Sequence, residues 1–139
     1  MGRARSDCPI AGSLDIFGDS WTLLVLRDLL LRGVTRFQDI ASSEQIASNI
    51  LTNRLERLQA AGLIKRYSDA NDGRKFIYVP TEAAIELIPV LIEMMLWGDR
   101  YTSGIADPSL VKAAKKDRAS FIKGASDMAR KAAKAALGT

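Results

Sequence analysis

The 139-residue chain contains no histidine. Histidine is the commonest general base in enzymes, a frequent metal ligand, and the usual partner of serine and cysteine nucleophiles. The sequence also contains no paired acidic motif and no glycine-rich phosphate loop. We therefore expect a protein that is not an enzyme and that holds neither a metal nor a cofactor.

Cysteine occurs once, at Cys8, which excludes an intramolecular disulfide and a cysteine-cluster zinc site. No apolar run approaches the roughly 20 residues that a membrane helix needs. The segment 1–6 contains two arginines, but the apolar segment of a secretion signal does not follow it. The sequence therefore predicts a cytoplasmic protein without a membrane partner.

Positive charge is unevenly distributed, although the whole chain has a net charge of +4. Residues 112–139 contain eight basic and two acidic residues, so this tail carries +6 and residues 1–111 carry −2. The basic character of the chain thus belongs to the tail and says little about a DNA-binding face. Within residues 1–111, the segment 48–78 has a positive net charge, because it contains six basic and three acidic residues.

Three helices are predicted in the first 41 residues: Pro9–Phe17, Trp21–Arg32 and Arg36–Ala41. Asp19 or Ser20 suits the N-cap of the second helix because both side chains accept hydrogen bonds from free N–H groups. Gly33 suits its end because glycine adopts the left-handed conformation readily.

A fourth helix runs from about Ser48, its predicted N-cap, to Gly62. Leu51, Leu55 and Leu58 recur at helical spacing and predict one buried stripe. The opposite face is polar, and two arginines flank it: Asn49, Thr52, Asn53 and Glu56, with Arg54 and Arg57. Short polar side chains near a helix N-terminus can contact base edges and phosphates.

Two strand-like runs follow, Leu63–Ser68 and Arg74–Val79, separated by an Asp72-Gly73 turn. This pattern is typical of a β-hairpin. Helices followed by a polar-faced helix and a hairpin are the element order of a winged helix-turn-helix. We therefore predict a mainly α fold with a small β-hairpin wing, comprising residues 1–105.

A long helix is predicted from Thr81 to Tyr101, with a kink near Pro89. It is apolar on more than one side, which predicts contact with a partner subunit. Asp107 and Pro108 begin a basic helical extension over residues 106–139. This tail could pack on a dimer, contact phosphates, or remain a solvated helix.

Four segments carry a family resemblance: Cys8–Ala11, Leu14–Leu29, Arg36–Phe37 and Leu55–Ile64. They resemble the HxlR-type winged helix-turn-helix regulators of bacteria and archaea. The most specific blocks are Gly-Asp-Ser-Trp-Thr-Leu from Gly18 and Gly-Leu-Ile from Gly62. The resemblance covers residues 8–98, and the tail lies outside it.

The resemblance implies a homodimeric transcriptional regulator, repressor or activator, that binds an imperfect palindrome in double-stranded DNA. It also implies dimerisation through the N-terminal helix and the helix after the hairpin. The residues it assigns to DNA binding are Arg36, Gln38, Ser48, Asn49, Thr52, Asn53, Arg54, Arg74 and Lys75. Family members often have Ser-Pro where this chain has Ala47-Ser48.

Structural alternatives exist for these assignments. The polar helix face could be merely solvated, and Arg54 could form a salt bridge with Asp39 or Asp28. Arg74 and Lys75 could serve only the solubility of the hairpin. A ligand- or protein-binding winged-helix module without strong DNA affinity is the rival function, and the net charge of −2 on residues 1–111 favours it.

Cys8 has two interpretations. A thiol near a helix N-terminus gains acidity from the helix dipole, and some relatives sense oxidants or electrophiles with an N-terminal cysteine. The resemblance therefore implies an oxidant or small-molecule signal. The alternative is a small structural residue with no chemistry.

Overall fold

The computed structural model describes residues 5–138. Within them, helices and strands follow in this order: α1 (Pro9–Phe17), α2 (Thr22–Leu31), α3 (Ser48–Ala60), β1 (Ile64–Ser68), β2 (Phe76–Pro80), α4 (Glu82–Ile85), α5 (Ile88–Tyr101), α6 (Pro108–Lys116) and α7 (Arg118–Ala136). The predicted class, mainly helical with a β-hairpin, is confirmed. None of the helices in residues 5–138 combines the length and apolarity needed to cross a membrane.

The hydrophobic core lies between α2, α3, the hairpin and α5. The stripe predicted on α3 is part of it, since Leu51, Leu55 and Leu58 are each at most 2% exposed. Gly62 ends this helix with a φ of +76°, which is the left-handed conformation that its glycine was predicted to supply. Burial of one leucine face thereby fixes which side of α3 points outward.

The segment predicted as a helix over residues 36–41 is a 3-10 turn, Phe37–Asp39, followed by a second 3-10 turn, Ser42–Glu44. The prediction fails because Arg36 is extended and forms an isolated antiparallel bridge with Ile77 of β2. The helical spacing of apolar residues cannot reveal a pairing between residues so far apart in sequence.

The long helix predicted after the hairpin is divided into α4 and α5. Thr81 caps α4 as predicted, because its side chain accepts from the N–H of Ala84 at 3.5 Å. Pro89 lies in the first turn of α5. In a continuous helix, Pro89 would have no N–H to donate to the carbonyl of Ile85, and its ring would clash with that carbonyl. The helix is therefore broken before Pro89, where only a kink was predicted.

The tail contains two helices where one was predicted. Asp107 starts α6 as expected, and its carboxylate accepts from the N–H of Ser109 at 2.9 Å. Asp117 is extended, with φ of −151°, and caps α7 by accepting from the N–H of Ser120 at 3.1 Å. The chain therefore turns at Asp117, and α7 returns to the body of the protein.

The second tail helix packs against α2, α4, α5 and β2. Ala129 is 2% exposed, and Arg130 forms a two-pronged ion pair with Glu82 of α4 at 2.9 and 3.1 Å. Gly33, at the end of α2, lies so close to α7 that a Cβ there would be 3.5 Å from the Cβ of Ala132. The tail thus completes the core of its own chain.

A buried carboxylate fixes the turn before α3. Asp28 is 2% exposed and accepts from the N–H of Ala41 at 2.7 Å. It also accepts from Arg27 Nε at 2.9 Å and from Arg32 at 3.2 Å. Arg27 in turn donates to both carboxylate oxygens of Glu44, at 2.9 and 2.8 Å. These bonds join α2 to the second 3-10 turn and to its N-cap, Ala41.

The Arg27–Glu44 pair predicts a loss of stability in acid. Hydrogen bonds from Arg27 lower the pKa of Glu44 from 4.5 to about 2, although burial opposes the shift. The pair therefore stabilises the fold above pH 4.5, and this stabilisation is lost as the pH falls towards 2. Glu44→Gln should flatten the dependence of the unfolding free energy on pH in this interval, as measured by urea denaturation.

The matched control is Glu56→Gln, which neutralises an exposed carboxylate on α3. Its pH profile should follow that of the parent protein. Parallel profiles for Glu44→Gln and the parent would show that the Arg27–Glu44 pair contributes nothing.

Candidate nucleic-acid interface

The exposed face of α3, which we call the recognition helix, presents four of the predicted residues together. They lie in its first two turns and are all exposed: Ser48, Asn49, Thr52 and Asn53. The predicted cap is displaced by one residue, because Ala47 is the extended N-cap and Ser48 is the first helical residue. Alanine offers no capping side chain, so the first N–H groups of the helix remain available to an anion.

Arg54 lies at the edge of this face and is engaged with the protein. Its Nε donates to Asp19 Oδ1 at 3.0 Å, and its guanidinium also donates to the side chain of Asn53. Only 20% of the Arg54 side chain is exposed. The salt-bridge alternative considered for Arg54 is thus present, but its partner is Asp19 and not Asp39 or Asp28.

Asp19 connects the start of α2 to the recognition helix. It accepts from the N–H groups of Trp21 and Thr22 at 2.8 and 3.0 Å, although the N-cap position of α2 is Trp21 and not Asp19 or Ser20 as predicted. Burial tends to raise the pKa of Asp19, but hydrogen bonds from Thr22, Trp21 and Arg54 together hold it well below its ordinary value of 3.8. Asp19 therefore remains ionised and keeps Arg54 in place.

Arg36 connects the first 3-10 turn to the hairpin, which we call the wing. Its guanidinium forms an ion pair with Asp69, a buried residue at the end of β1. This hydrogen bond lowers the pKa of the Asp69 carboxyl. About a third of the Arg36 side chain remains exposed, and the predicted neighbour Gln38 is exposed.

The wing pairs Ile64 with Pro80 at its base and Ser68 with Phe76 near its tip. Arg74 and Lys75 lie beyond this pairing and are exposed, and the Arg74 side chain is 91% exposed. Arg74 makes one weak contact, from Nε to Asp72 at 3.4 Å. The two basic residues therefore project from the wing tip.

Arg66 is an additional basic residue of the wing that the sequence argument did not single out. Its guanidinium lies 4.1 Å from the centre of the Phe76 ring on the neighbouring strand, in a cation–π arrangement. The alternation of residues along β1 and the register with Phe76 were the signals that could have identified it. Arg66 adds to the positive charge of the exposed wing surface, as does Lys65 on the same strand.

Cys8 lies at the start of α1, as predicted. It is exposed, occupies the N-cap position, and precedes Pro9 in the first turn. Its carbonyl accepts from the N–H of Gly12 at 3.0 Å, so the backbone is part of the helix start. The thiol is therefore accessible at the positive end of the helix dipole.

An apolar surface remains uncovered on α1 and α5. None of the nine residues of α1 is buried, and Ile10 is 71% exposed. Four large side chains of α5 recur at helical spacing on its outer side and form what we call the α5 stripe: Val90, Met94, Trp97 and Tyr101. Trp97 is 62% exposed. This much exposed apolar surface is typical of an interaction site.

Comparison with known proteins places this geometry in a family. Residues 16–105 match the HxlR-like helix-turn-helix domain. The chain belongs to the HxlR-like family. A relative from Mycobacterium bovis, the uncharacterized HTH-type transcriptional regulator Mb3122, is 35% identical over 92 residues. That match covers 66% of this chain but only 58% of the relative, so the chain spans less than two thirds of its length.

Solved structures share the fold of this HxlR-like chain. PA1607, solved under the description "a putative transcription factor", has a TM-score of 0.64 at 33% identity, over 74% of this chain and 71% of its own. The quinone-bound regulator YodB from Bacillus subtilis has a TM-score of 0.55 at 27% identity, over 68% of this chain and all of its own. The winged helix-turn-helix fold predicted from the element order is confirmed, and YodB is a transcriptional regulator.

The Arg54–Asp19 pair predicts energetic coupling between the recognition helix and the start of α2. In a double-mutant cycle, Arg54→Ala and Asp19→Ala should couple by about 1 kcal/mol in unfolding free energy. Asp19→Ala alone should cost more than Arg54→Ala, because it also removes the acceptor of the Trp21 and Thr22 N–H groups at the start of α2. Chemical denaturation of the four proteins measures both quantities.

The control cycle pairs Arg54→Ala with Asp39→Ala, since Asp39 was a predicted partner that Arg54 does not contact. These two changes should be additive. The structure would be contradicted if Arg54 coupled equally to Asp39 in unfolding free energy, or if it showed no coupling to Asp19.

Proposed function

We propose that this HxlR-family protein is a sequence-specific DNA-binding transcriptional regulator, repressor or activator, that acts in the cytoplasm as a homodimer. The observation that carries the proposal is the exposed polar face formed by Ser48, Asn49, Thr52 and Asn53 on a helix whose opposite side is buried. The recognition helix would enter the major groove, which an α-helix fits.

Affinity and specificity would come from different residues. Asn49 and Asn53 carry amides that can donate to and accept from base edges, as asparagine does with adenine. Arg74 and Lys75 at the wing tip would contact phosphates, which position a protein without reading sequence. The open first turn of the recognition helix would add its N–H groups to a phosphate contact.

Two predicted cations contribute less directly in this proposal. Arg54 is held by Asp19 and Arg36 by Asp69, so both orient the DNA-binding elements in the free protein. The exposed third of Arg36 and the solvated amide of Gln38 would still reach a phosphate beside the first 3-10 turn. Specificity would then rest on uncharged side chains of the recognition helix.

The homodimer is supported by the apolar surface of α1 and the α5 stripe. A two-fold dimer uses the same patch on both subunits, so a second copy could cover this surface on each. It would also place two recognition helices on half-sites one helical turn apart, about 34 Å. The operator of such a dimer is a pseudo-palindrome.

Selection of bound sequences from a random duplex pool tests this function. An enriched pseudo-palindrome is the expected result, with affinity that falls steeply as salt is raised because phosphate contacts release counterions. The absence of enrichment, with weak and salt-insensitive binding, would instead favour a winged-helix module that binds a ligand or a protein.

Substitutions should separate base reading from phosphate contact. Asn53→Ala or Thr52→Ala should relax the preference at one operator position by about 1–3 kcal/mol, because a base-edge contact is lost. Arg74→Ala should weaken binding to all sequences alike and reduce the salt slope by about one unit. Fluorescence anisotropy with operator and scrambled duplexes distinguishes the two effects.

Glu56→Ala is the matched control for the recognition helix, since it removes an exposed side chain further from the helix start. It should leave the sequence preference unchanged. Unaltered preference in the Asn53 and Thr52 variants would remove both residues from base recognition.

A second proposal concerns Cys8, which we infer is an oxidant or electrophile sensor. Its thiol is exposed at a helix start, next to the apolar α1 surface proposed to join the dimer. The related regulator YodB has been solved in reduced, quinone-bound and diamide-treated forms. Oxidation of Cys8, or a disulfide between the two Cys8 residues of a dimer, would alter that interface.

Diamide treatment should change operator affinity in the parent protein and leave Cys8→Ser unaffected, as measured by anisotropy before and after reduction with dithiothreitol. The reductant should restore the parent, since a disulfide is reversible. An equal response of both proteins to diamide would make Cys8 a structural residue only.

A further inference from the structure

A groove lies where α5 ends and α6 begins, outside the polar face and the wing. Its volume is about 670 Å³, within the range of small-molecule sites. The residues that line it are Asp99, Ile105, Ala106, Pro108, Val111, Lys112, Lys115 and Lys116. Apart from Asp99 and Ile105, they follow the segment that matches the family, so the groove belongs to the tail of this chain.

The groove has a surplus of positive charge. Lys112, Lys115 and Lys116 recur at helical spacing on one side of α6, away from its buried residue Ala114. Within residues 5–138, none of these three ammonium groups has an ion-pair partner. The groove has one carboxylate, Asp99, which accepts a hydrogen bond from the N–H of Ala106 at 2.8 Å.

The rest of the lining is apolar. Ile105 is 90% exposed, the most exposed large apolar side chain among residues 5–138, and Val111 and Pro108 lie in the same groove. An apolar ligand surface placed over Ile105 would remove it from water. The groove therefore offers apolar contact and positive charge side by side.

We propose that this groove binds a small organic acid, with its carboxylate on the α6 lysines and a flat apolar body over Ile105 and Val111. Charge complementarity selects an anion, because the three lysines have no ion-pair partner among residues 5–138 and outnumber the single carboxylate of the groove, Asp99. The apolar surface of Ile105, Pro108 and Val111 favours a ligand with an apolar body over the phosphate backbone of DNA. This inference does not depend on the proposed DNA binding.

Isothermal titration of the full chain with 2-naphthoate, without DNA, tests the proposal. This probe combines one carboxylate with a flat apolar body, and it should bind saturably. Lys112→Gln/Lys116→Gln should weaken binding by about tenfold or more, since two cations are removed. Ile105→Ser should also weaken the binding of 2-naphthoate. Because Ile105 is exposed, the fold does not depend on its side chain. The neutral analogue 2-naphthalenemethanol should bind far more weakly than 2-naphthoate.

The matched control is Lys123→Gln/Lys131→Gln, which removes the same charge from exposed positions of α7 and should leave the affinity for 2-naphthoate unchanged. Chemical shift changes should centre on the Ile105 methyl groups. Equal binding of the neutral analogue, equal losses in the control, or shifts confined to Trp97 and Tyr101 would overturn the proposal. So would a Lys112→Gln/Lys116→Gln protein that loses DNA affinity but binds 2-naphthoate normally.

Discussion

The hydrogen bond from the Ala41 N–H to the buried Asp28 carboxylate is the contact on which the placement of the recognition helix depends. Ala41 has φ of +51°, a left-handed conformation that alanine adopts at a cost, and its N–H would otherwise be buried without an acceptor. Arg27 and Arg32 compensate the charge of Asp28. The irregular turn before α3 is therefore held from α2, and the direction of the recognition helix follows from it.

Two arginines of this fold each connect two structural elements and also contribute positive charge at the surface. Arg54 joins the recognition helix to Asp19, and Arg36 joins the first 3-10 turn to Asp69, which lies near the tip of the wing. In each case the guanidinium lies at the edge of the predicted DNA surface while its hydrogen bonds fix two elements relative to each other. A planar group with five donors can make such contacts and keep part of its surface exposed. Orientation and charge are thereby supplied by the same side chains.

Many local signals were interpreted correctly from the sequence, but the cap of α3 is displaced by one residue, and the helix breaks near Pro89 and at Asp117 were not predicted. The long-range contacts of Arg36 and Arg54 were not predicted either. The stripe of Leu51, the cap at Thr81 and the helix end at Gly62 each depend on neighbours within a few residues. The extended conformation of Arg36 depends on a bridge to Ile77, 41 positions away, and the partner of Arg54 lies 35 positions away. The polar face was predicted because it is local to one helix, whereas the groove beside α6 exists only after the tail has folded.

The packing of α7 also has a consequence for the order of folding during synthesis. Residues 118–136 cover one side of α2 and β2, yet they leave the ribosome after the whole winged helix has been made. At about 5–20 residues per second, the 105 residues between the end of α2 and the end of α7 take about 5–20 seconds to make, and that side of α2 is open to water and to chaperones during this time. The helix-turn-helix therefore acquires its final packing only when a segment outside the family pattern arrives.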